Sequence, residues 1–187
     1  MKCSVFIATS ADGYIATTDD SVEWLETSGK VDVDLGNQSD MGFNDFIASI
    51  DCMIMGRRCM EKLASFNLTA EQWPYGKIRI IALSKRLHEV PENLKARVEL
   101  YAGDVSTLIL ELEKAGFKHA YVDGGATITS FLNEKLINEM TITQAPILLG
   151  AGKPLFGELK QKIRLENAQA TAFANDYIQV KYDVNYL

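Results

Sequence analysis

The sequence is poor in the residues that build metal centres, disulfide frameworks and hydrolytic triads. Its 187 residues include only two histidines, His88 and His119, and three cysteines. Two histidines argue against a histidine-built metal site and against a Ser-His-Asp triad. An odd number of cysteines without a C-x-x-C pair indicates buried free thiols rather than disulfides.

The sequence also lacks an excess of positive charge. It has 19 Lys and Arg against 25 Asp and Glu, a formal net charge of −6. This balance argues against general binding to nucleic acids or to anionic membranes, so any anionic ligand has to be held by local positive charge. The first five residues carry one charge and a short apolar run, which fits neither a signal peptide nor a membrane span. We therefore expect a cytoplasmic protein that acts on a small molecule.

Linkers, repeats and low-complexity tracts are missing as well. Only four prolines occur, and 47% hydrophobic with 24% charged residues is close to the average of globular proteins. We therefore predict a single domain over residues 1–187.

Apolar patterns predict an α/β fold. Continuous apolar runs at 3–8, 52–55 and 78–83, with another at 120–122, are typical of buried parallel strands. Helical stripes occupy 43–50, 59–66, 105–112 and 128–132, with Asp104 as an N-cap and Gly116 as a stop for the third. Their alternation predicts a mostly parallel central sheet with helices on both faces. Strict alternation from Ile178 to Tyr186, preceded by a turn and by a partner strand at 163–173, predicts a C-terminal antiparallel hairpin.

Basic and glycine-containing segments follow three of the predicted strands. They are Gly56-Arg57-Arg58, Ser84-Lys85-Arg86 and Gly124-Gly125-Ala126-Thr127. Parallel strands end at one edge of a sheet, where ligands of open α/β sheets bind, so the three segments should converge there. Glycines at a helix start would let backbone N–H groups approach a diphosphate, and the basic pairs would suit further phosphate. Taken singly, each segment could equally be a turn or a solvated helix start.

The chain resembles the dihydrofolate reductase-like family, and within it the reductase domain of the bifunctional riboflavin-biosynthesis deaminase-reductase and its stand-alone bacterial relatives. The segments that carry the resemblance appear in the family's order. They are 10–16, 55–58, 82–85, 122–125 and 146–156. The zinc motif of the deaminase half is absent, so only the reductase half is represented.

The resemblance implies NADPH as the hydride donor, and it implies a homodimer, which the apolar face of the C-terminal strand also favours. Gly56 and Arg57 would then line the adenosine phosphates, and Ser84 with Lys85 or Arg86 would meet the 2′-phosphate. Arg58 and Leu83 are further predicted cofactor residues. The remaining predicted cofactor residues are Gly124, Gly125, Ala126 and Thr127 for the diphosphate, and Ala8, Ile15 and Ala16 beside the nicotinamide.

Two acids are candidates for orienting a substrate ring. Asp12 follows the first strand and is our first choice, although it could also be a turn-forming residue. Asp40 lies one turn before Phe43 and is the second choice, with a helix N-cap as its alternative role. Asp45 points away from the apolar stripe and is expected to be solvated.

Trp24 and Thr143 are further substrate candidates, each with ordinary packing as the alternative. The leading hypothesis is an NADPH-dependent reductase of a heterocyclic substrate, resembling the riboflavin-pathway uracil reductase. Val122-Asp123-Gly124-Gly125 is closer to dihydrofolate reductase than the Val-Glu-Ala-Gly common in riboflavin reductases, so a dihydrofolate or other pterin reductase stays open. A binding module for NADPH without turnover is the third hypothesis.

Overall fold

An eight-stranded sheet forms the centre of the computed structural model, which describes residues 1–187. The strands are β1 (Lys2–Ser10), β2 (Tyr14–Ala16), β3 (Cys52–Gly56), β4 (Arg79–Leu83), β5 (Val98–Tyr101), β6 (His119–Asp123), β7 (Glu139–Ala145), β8 (Lys153–Pro154), β9 (Ile163–Ala172) and β10 (Ile178–Tyr186). The α-helices are α1 (Trp24–Thr27), α2 (Phe43–Ala48), α3 (Arg57–Ser65), α4 (Val105–Lys114) and α5 (Gly125–Asn133), and single 3₁₀ turns cover Gly36–Gln38 and Glu92–Leu94.

The sheet order is β5-β4-β3-β6-β1-β7-β10-β9. The first six strands in this order are parallel, whereas β10 is antiparallel to both of its neighbours. The predicted fold class, a mostly parallel sheet with a C-terminal antiparallel hairpin, is therefore confirmed.

The two faces of the sheet bury different sets of side chains, because successive residues of a strand point to opposite faces. In β3, Cys52 and Ile54 pack in a core with α4 and α5, while Met53 and Met55 pack in a second core with α2 and α3. Helices thus cover both faces, as predicted. Cys3 and Cys52 are fully buried free cysteines, and burial raises the pKa of each thiol to about 12.

The four predicted helices form with different ends: α4 and α5 extend beyond the predicted stripes, and α2 ends two residues earlier. Asp104 is the N-cap of α4, where its carboxylate accepts the Thr107 N–H at 2.9 Å, and the positive φ of Gly116 follows the helix end. Helix α2 ends at Ala48, so Ile50, which we placed in the helical stripe, is buried just beyond it. None of the five helices has the length and apolar character needed to cross a membrane.

The hairpin of β9 and β10 carries an apolar face at the edge of the sheet. Ile178 lies opposite Ala172, and Val184 lies opposite Leu165. Ile178 and Leu165 keep 46% and 38% of their surface exposed, so part of this face is open to solvent. The homodimer stays a prediction, and this face is the surface on which it depends.

Two short elements could not be predicted. Strands β2 and β8 form a separate two-stranded sheet of three and two residues, which is too short to show a period. Trp24 begins the single-turn helix α1, which is also too short to show a period.

A hydrogen-bonded network ties the amino-terminal ends of three strands together. Ser4 Oγ lies 2.7 Å from His119 Nε2 and 3.0 Å from Glu139 Oε1, and His119 Nδ1 donates to the Ser49 carbonyl at 2.9 Å. Burial lowers the pKa of His119, and this effect outweighs the favourable carbonyl of Ser49 and carboxylate of Glu139. The fold therefore prefers His119 uncharged.

This preference predicts a specific pH dependence. The unfolded chain takes up a proton on His119 near pH ~6.5 and the folded chain only at lower pH, so protonation favours unfolding as the pH falls below ~6.5. Thermal unfolding followed by circular dichroism between pH 7 and pH 5 should show the wild type losing several degrees more than His119→Gln. His88→Gln, at an exposed position, is the control and should follow the wild type. Parallel curves for all three proteins would contradict the account.

Candidate functional site

The carboxyl ends of the six parallel strands lie at one edge of the sheet and carry the predicted binding segments. Helix α3 begins directly after β3, α5 begins two residues after β6, and Ser84 follows β4. Neighbouring strands β3 and β6 thus place the starts of α3 and α5 side by side. The predicted convergence of the three segments is confirmed.

The glycines of the turn after β6 are required by the packing of the chain. Gly124 has φ +93°, and a Cβ atom there would collide with Cys59 Sγ. A Cβ atom at Gly125 would lie 2.7 Å from the Pro154 carbonyl oxygen and 2.9 Å from that of Leu155. The turn is therefore a close approach of backbone to backbone, which only glycine permits.

The starts of α3 and α5 touch each other. A Cβ atom at Gly56 would lie 2.8 Å from Thr127 Oγ1, so the two helix starts leave no room for a side chain between them. The first N–H groups of a helix have no partner within it, and the helix dipole makes this end positive. Two adjacent helix starts present such groups at one place, which is a suitable arrangement for a diphosphate.

The two basic pairs have different surroundings. Arg57 donates to Glu61 of its own helix at 2.7 and 2.9 Å, which offsets part of its charge, and Arg58 is exposed. Ser84 Oγ accepts the N–H groups of Arg86 and Leu87 at 3.2 and 3.0 Å, which shapes the turn after β4. The pairs therefore share the edge of the sheet without forming one cluster.

A cavity of about 550 Å³ opens beside this turn, between the ends of β4 and β5 and the helices α4 and α5. Leu83, Ser84 and Lys85 line it, whereas Arg57, Arg58 and Arg86 do not. Its size suits a nucleoside rather than a whole dinucleotide. Among the predicted cofactor residues, Lys85 is the cation placed to meet a group bound in this cavity.

The residues predicted to flank a nicotinamide lie on the other side of the glycine turn. Ile15 Cδ1 would be 3.2 Å from a Cβ atom at Gly125, so β2 lies against the start of α5. Ala16 is buried in β2, and Ala8 is a half-buried residue of β1 that pairs with Thr143. These residues are small or apolar, which suits the face of a flat ring.

Asp12 holds a loop. Its carboxylate accepts the Ser10 hydroxyl at 2.6 Å, the Leu149 N–H at 3.1 Å and the Gly150 N–H at 2.7 Å. These bonds, led by that of Ser10, lower the pKa of Asp12, so it is ionised at neutral pH. The turn-forming role that we considered is what the structure shows, and a contact with substrate stays a prediction.

Asp40 is placed in the same way at the start of a helix. Its carboxylate accepts the N–H groups of Gly42 and Asn44, each at 3.0 Å, and these bonds lower its pKa. The capping role is therefore present, although Gly42 rather than Asp40 is the N-cap residue itself. Asp45 is exposed, as predicted.

Thr143 and Trp24 are both buried in the part of the site next to β7. Thr143 Oγ1 accepts from Gln179 Nε2 at 2.8 Å, and the same amide donates to the Met41 carbonyl at 3.0 Å. Trp24 packs with Ala145 and Tyr177, only 6% exposed, and its indole N–H has no partner. Packing is thus established for both residues, and their contact with substrate stays a prediction.

Asp123, at the end of β6, is an acid that we quoted only as part of a motif. Burial raises the pKa of Asp123, although Cys59, Tyr121 and the Gly124 N–H all bond to it. The residue nevertheless keeps part of its surface accessible at the carboxyl edge. The signal that could have identified it is an acid that ends an apolar strand directly before a glycine pair.

Aromatic side chains form a wall beside Asp123. The Tyr121 hydroxyl lies 3.4 Å from Asp123 Oδ1 and donates to the Phe6 carbonyl at 2.9 Å. The Phe46 ring centroid lies 5.0 Å from that of Phe6 and 5.1 Å from that of Tyr121, and Phe43 lies 5.6 Å from Phe6. A carboxyl group with a raised pKa, lying beside flat apolar rings, is suited to binding a heterocycle.

Comparisons with known proteins agree with this geometry. The model of the RibD C-terminal domain matches residues 75–179. The uncharacterized protein YyaP of Bacillus subtilis is 30% identical over 190 residues, which cover 96% of this chain and 93% of YyaP. The crystal structure of a putative riboflavin biosynthesis protein from Shewanella sp. PV-4 superposes with a TM-score of 0.86 at 37% identity, covering 100% of both chains.

A more distant structural similarity concerns the fold. Dihydrofolate reductase from Enterococcus faecalis, in a structure complexed with NADP(H) and RAB-propyl, has a TM-score of 0.62 at 14% identity. It covers 99% of this chain and 97% of the reductase chain. The expected dihydrofolate reductase-like architecture is thereby confirmed.

The bonds of Asp12 predict that it positions the loop at 149–150. Asp12→Ala should speed amide hydrogen exchange at Leu149 and Gly150 by about tenfold or more, because hydrogen bonds to a charged group are strong. Exchange measured by NMR in Asp45→Ala, which removes an exposed carboxylate, is the control and should match the wild type at both amides. Unchanged exchange in Asp12→Ala would show that the carboxylate does not hold the loop.

Proposed function

The chain belongs to the RibD C-terminal domain family, and on this premise we propose that it is an NADPH-dependent reductase of a small heterocyclic or ribosylated substrate. The substrate would resemble that of 5-amino-6-(5-phosphoribosylamino)uracil reductase, an activity named for a Thermotoga maritima protein with the same fold. The observation that carries the proposal is the carboxyl edge of the sheet. There, two helix starts meet beside a buried acid with an aromatic wall, and the ends of β4 and β5 border a cavity.

The residues at this edge fit the parts of NADPH. Gly56 and the residues from Gly125 to Thr127 supply backbone N–H groups for the diphosphate, with Arg57 and Arg58 nearby as cations, while the Gly124 N–H stays bonded to Asp123. Ser84 and Lys85 line the cavity that suits the adenosine end. When bound, NADPH supplies the hydride of the reaction.

We assign the second part of the chemistry to Asp123. Reduction of a C=N or C=O bond adds a hydride and a proton, and the proton needs a donor. The raised pKa of Asp123 favours a protonated carboxyl closer to neutral pH than an ordinary aspartate allows. Its carboxyl can therefore donate a hydrogen bond, or the proton itself, to a ring held against Phe6 and Phe46. Asp12 and Asp40, whose carboxylates accept backbone N–H groups, then hold the surrounding loops.

Turnover of NADPH against a panel of ribosylaminouracils and pterins tests the proposal. We expect oxidation of NADPH with one substrate class, and Asp123→Asn should lower turnover by about 10²–10⁴-fold while NADPH affinity stays within about threefold. Asp45→Asn is the matched control and should behave as the wild type.

Three results would count against all or part of the proposal. If the protein fails to bind NADPH, the cofactor assignment is wrong. If the protein binds NADPH but no member of the panel leads to NADPH oxidation, the hypothesis of an NADPH-binding module without turnover is favoured. Full turnover by Asp123→Asn would leave the reductase in place and remove the role of Asp123.

The residues that line the cavity also predict which cation determines the preference for NADPH over NADH. NADPH carries a 2′-phosphate that NADH lacks, and charge-assisted bonds to it should favour NADPH by about 10²-fold. Because Lys85 lines the cavity and Arg86 does not, Lys85→Ser should remove most of this preference, and Arg86→Ser should remove little. Titration calorimetry with both cofactors measures the effect, and the preference should shrink with added salt. Equal losses for NADH and NADPH in Lys85→Ser would contradict the assignment.

A further inference from the structure

The cavity beside Ser84 has a second lysine on its far wall. Lys160, from the segment after β8, lines it together with Lys85, and so do two carboxylates, Asp104 and Glu134. Two cations and two anions thus face one space. The charge that a ligand meets there depends on which of these groups are already engaged.

The two carboxylates are engaged in different ways. Asp104 accepts the Thr107 N–H at 2.9 Å and the Thr107 hydroxyl at 2.6 Å, so it is committed to the start of α4. Glu134 has a single partner, Lys160 Nζ, at 3.2 Å. Both members of this pair are largely exposed, at 45% and 69%, and exposed pairs of this kind are weak. A stronger anion in the cavity can therefore replace Glu134 as the partner of Lys160.

The backbone that carries Lys160 is fixed. The Lys160 N–H donates to Asn133 Oδ1 at 2.9 Å, and Asn133 Nδ2 donates to the Glu158 carbonyl at 3.1 Å. Further along, the Gly157 N–H donates to Thr129 Oγ1 at 2.9 Å. Three bonds thus hold the segment 157–160 against α5, and the base of the Lys160 side chain stays at the wall of the cavity.

We propose that Lys160 is a second cation for the 2′-phosphate of the cofactor and that Glu134 competes with the phosphate for it. This inference rests on the proposed function. The Lys160–Glu134 pair sets the preference between NADPH and NADH: Lys160 favours the phosphate, and Glu134 weakens it by neutralising the lysine and by repelling the dianion. A cavity with Lys85 and Lys160 free of acidic partners would match the two charges of the phosphate.

Opposite substitutions on the two members of the pair test this. Titration calorimetry should show NADPH binding about tenfold more weakly to Lys160→Gln and several-fold more tightly to Glu134→Gln, with NADH affinity changed less than about twofold in each. Lys162→Gln makes the same charge change two residues away, outside the cavity, and should leave both affinities unchanged.

The outcomes separate this inference from the proposed function. If NADPH binds and Lys85→Ser weakens it, while Lys160→Gln and Glu134→Gln do not change it, the role of the pair is wrong and the cofactor assignment stands. If Lys162→Gln weakens NADPH as much as Lys160→Gln, the effect is one of net charge and the inference is again wrong. If the wild type binds neither cofactor, the proposed function fails and the inference fails with it.

Discussion

The close packing of the Gly124–Gly125 turn determines how the rest of the site is arranged. Cys59 of α3 fills the space beside Gly124, and the carbonyl groups of Pro154 and Leu155 fill the space beside Gly125. Because of this packing, the start of α5 contacts α3 on one side and the end of β8 with Leu155 on the other. Any side chain at either glycine would push these elements apart. The helix starts and β2 therefore keep their positions relative to one another because two residues have no side chain.

In the proposed function, the same arrangement lets an acidic protein hold a polyphosphate. With a net charge of −6, the protein as a whole repels a polyphosphate at long range, so binding has to come from positive groups at contact distance. Backbone N–H groups at two adjacent helix starts carry partial positive charge without adding a cationic residue. The lysines at the cavity add full charges only where a phosphate would be placed. The proposed function thus relies on local positive groups at one edge to offset the unfavourable charge of the whole chain.

Much of the fold could be predicted from the sequence, because apolar periodicity reports burial directly. The continuous run before Gly56 and the alternation from Ile178 to Tyr186 each matched a strand of the expected kind. Since the carboxyl ends of parallel strands share one edge, the binding segments could be placed as well. The sheet of β2 and β8 could not, because elements of three and two residues show no period.

The roles of individual acids were harder to predict, since they depend on partners distant in the chain. The carboxylate of Asp12 accepts the N–H groups of Leu149 and Gly150. No local sequence pattern predicts a hydrogen bond between residues so far apart in the chain. Asp123 acquires its raised pKa from burial beside Cys59 and Tyr121, which is a property of the folded strand end. In a sequence both residues are simply aspartates next to a glycine.

In the proposed function, the carboxyl edge of the sheet binds a phosphorylated dinucleotide. Amide chemical shifts recorded by NMR during a titration with NADPH test it residue by residue. We expect the largest changes at Gly56, Ser84 and the amides from Gly124 to Thr127, and almost none at His119 and Ser4 on the opposite edge. Changes concentrated around His119, or none at the glycine turn at saturating NADPH, would contradict the account.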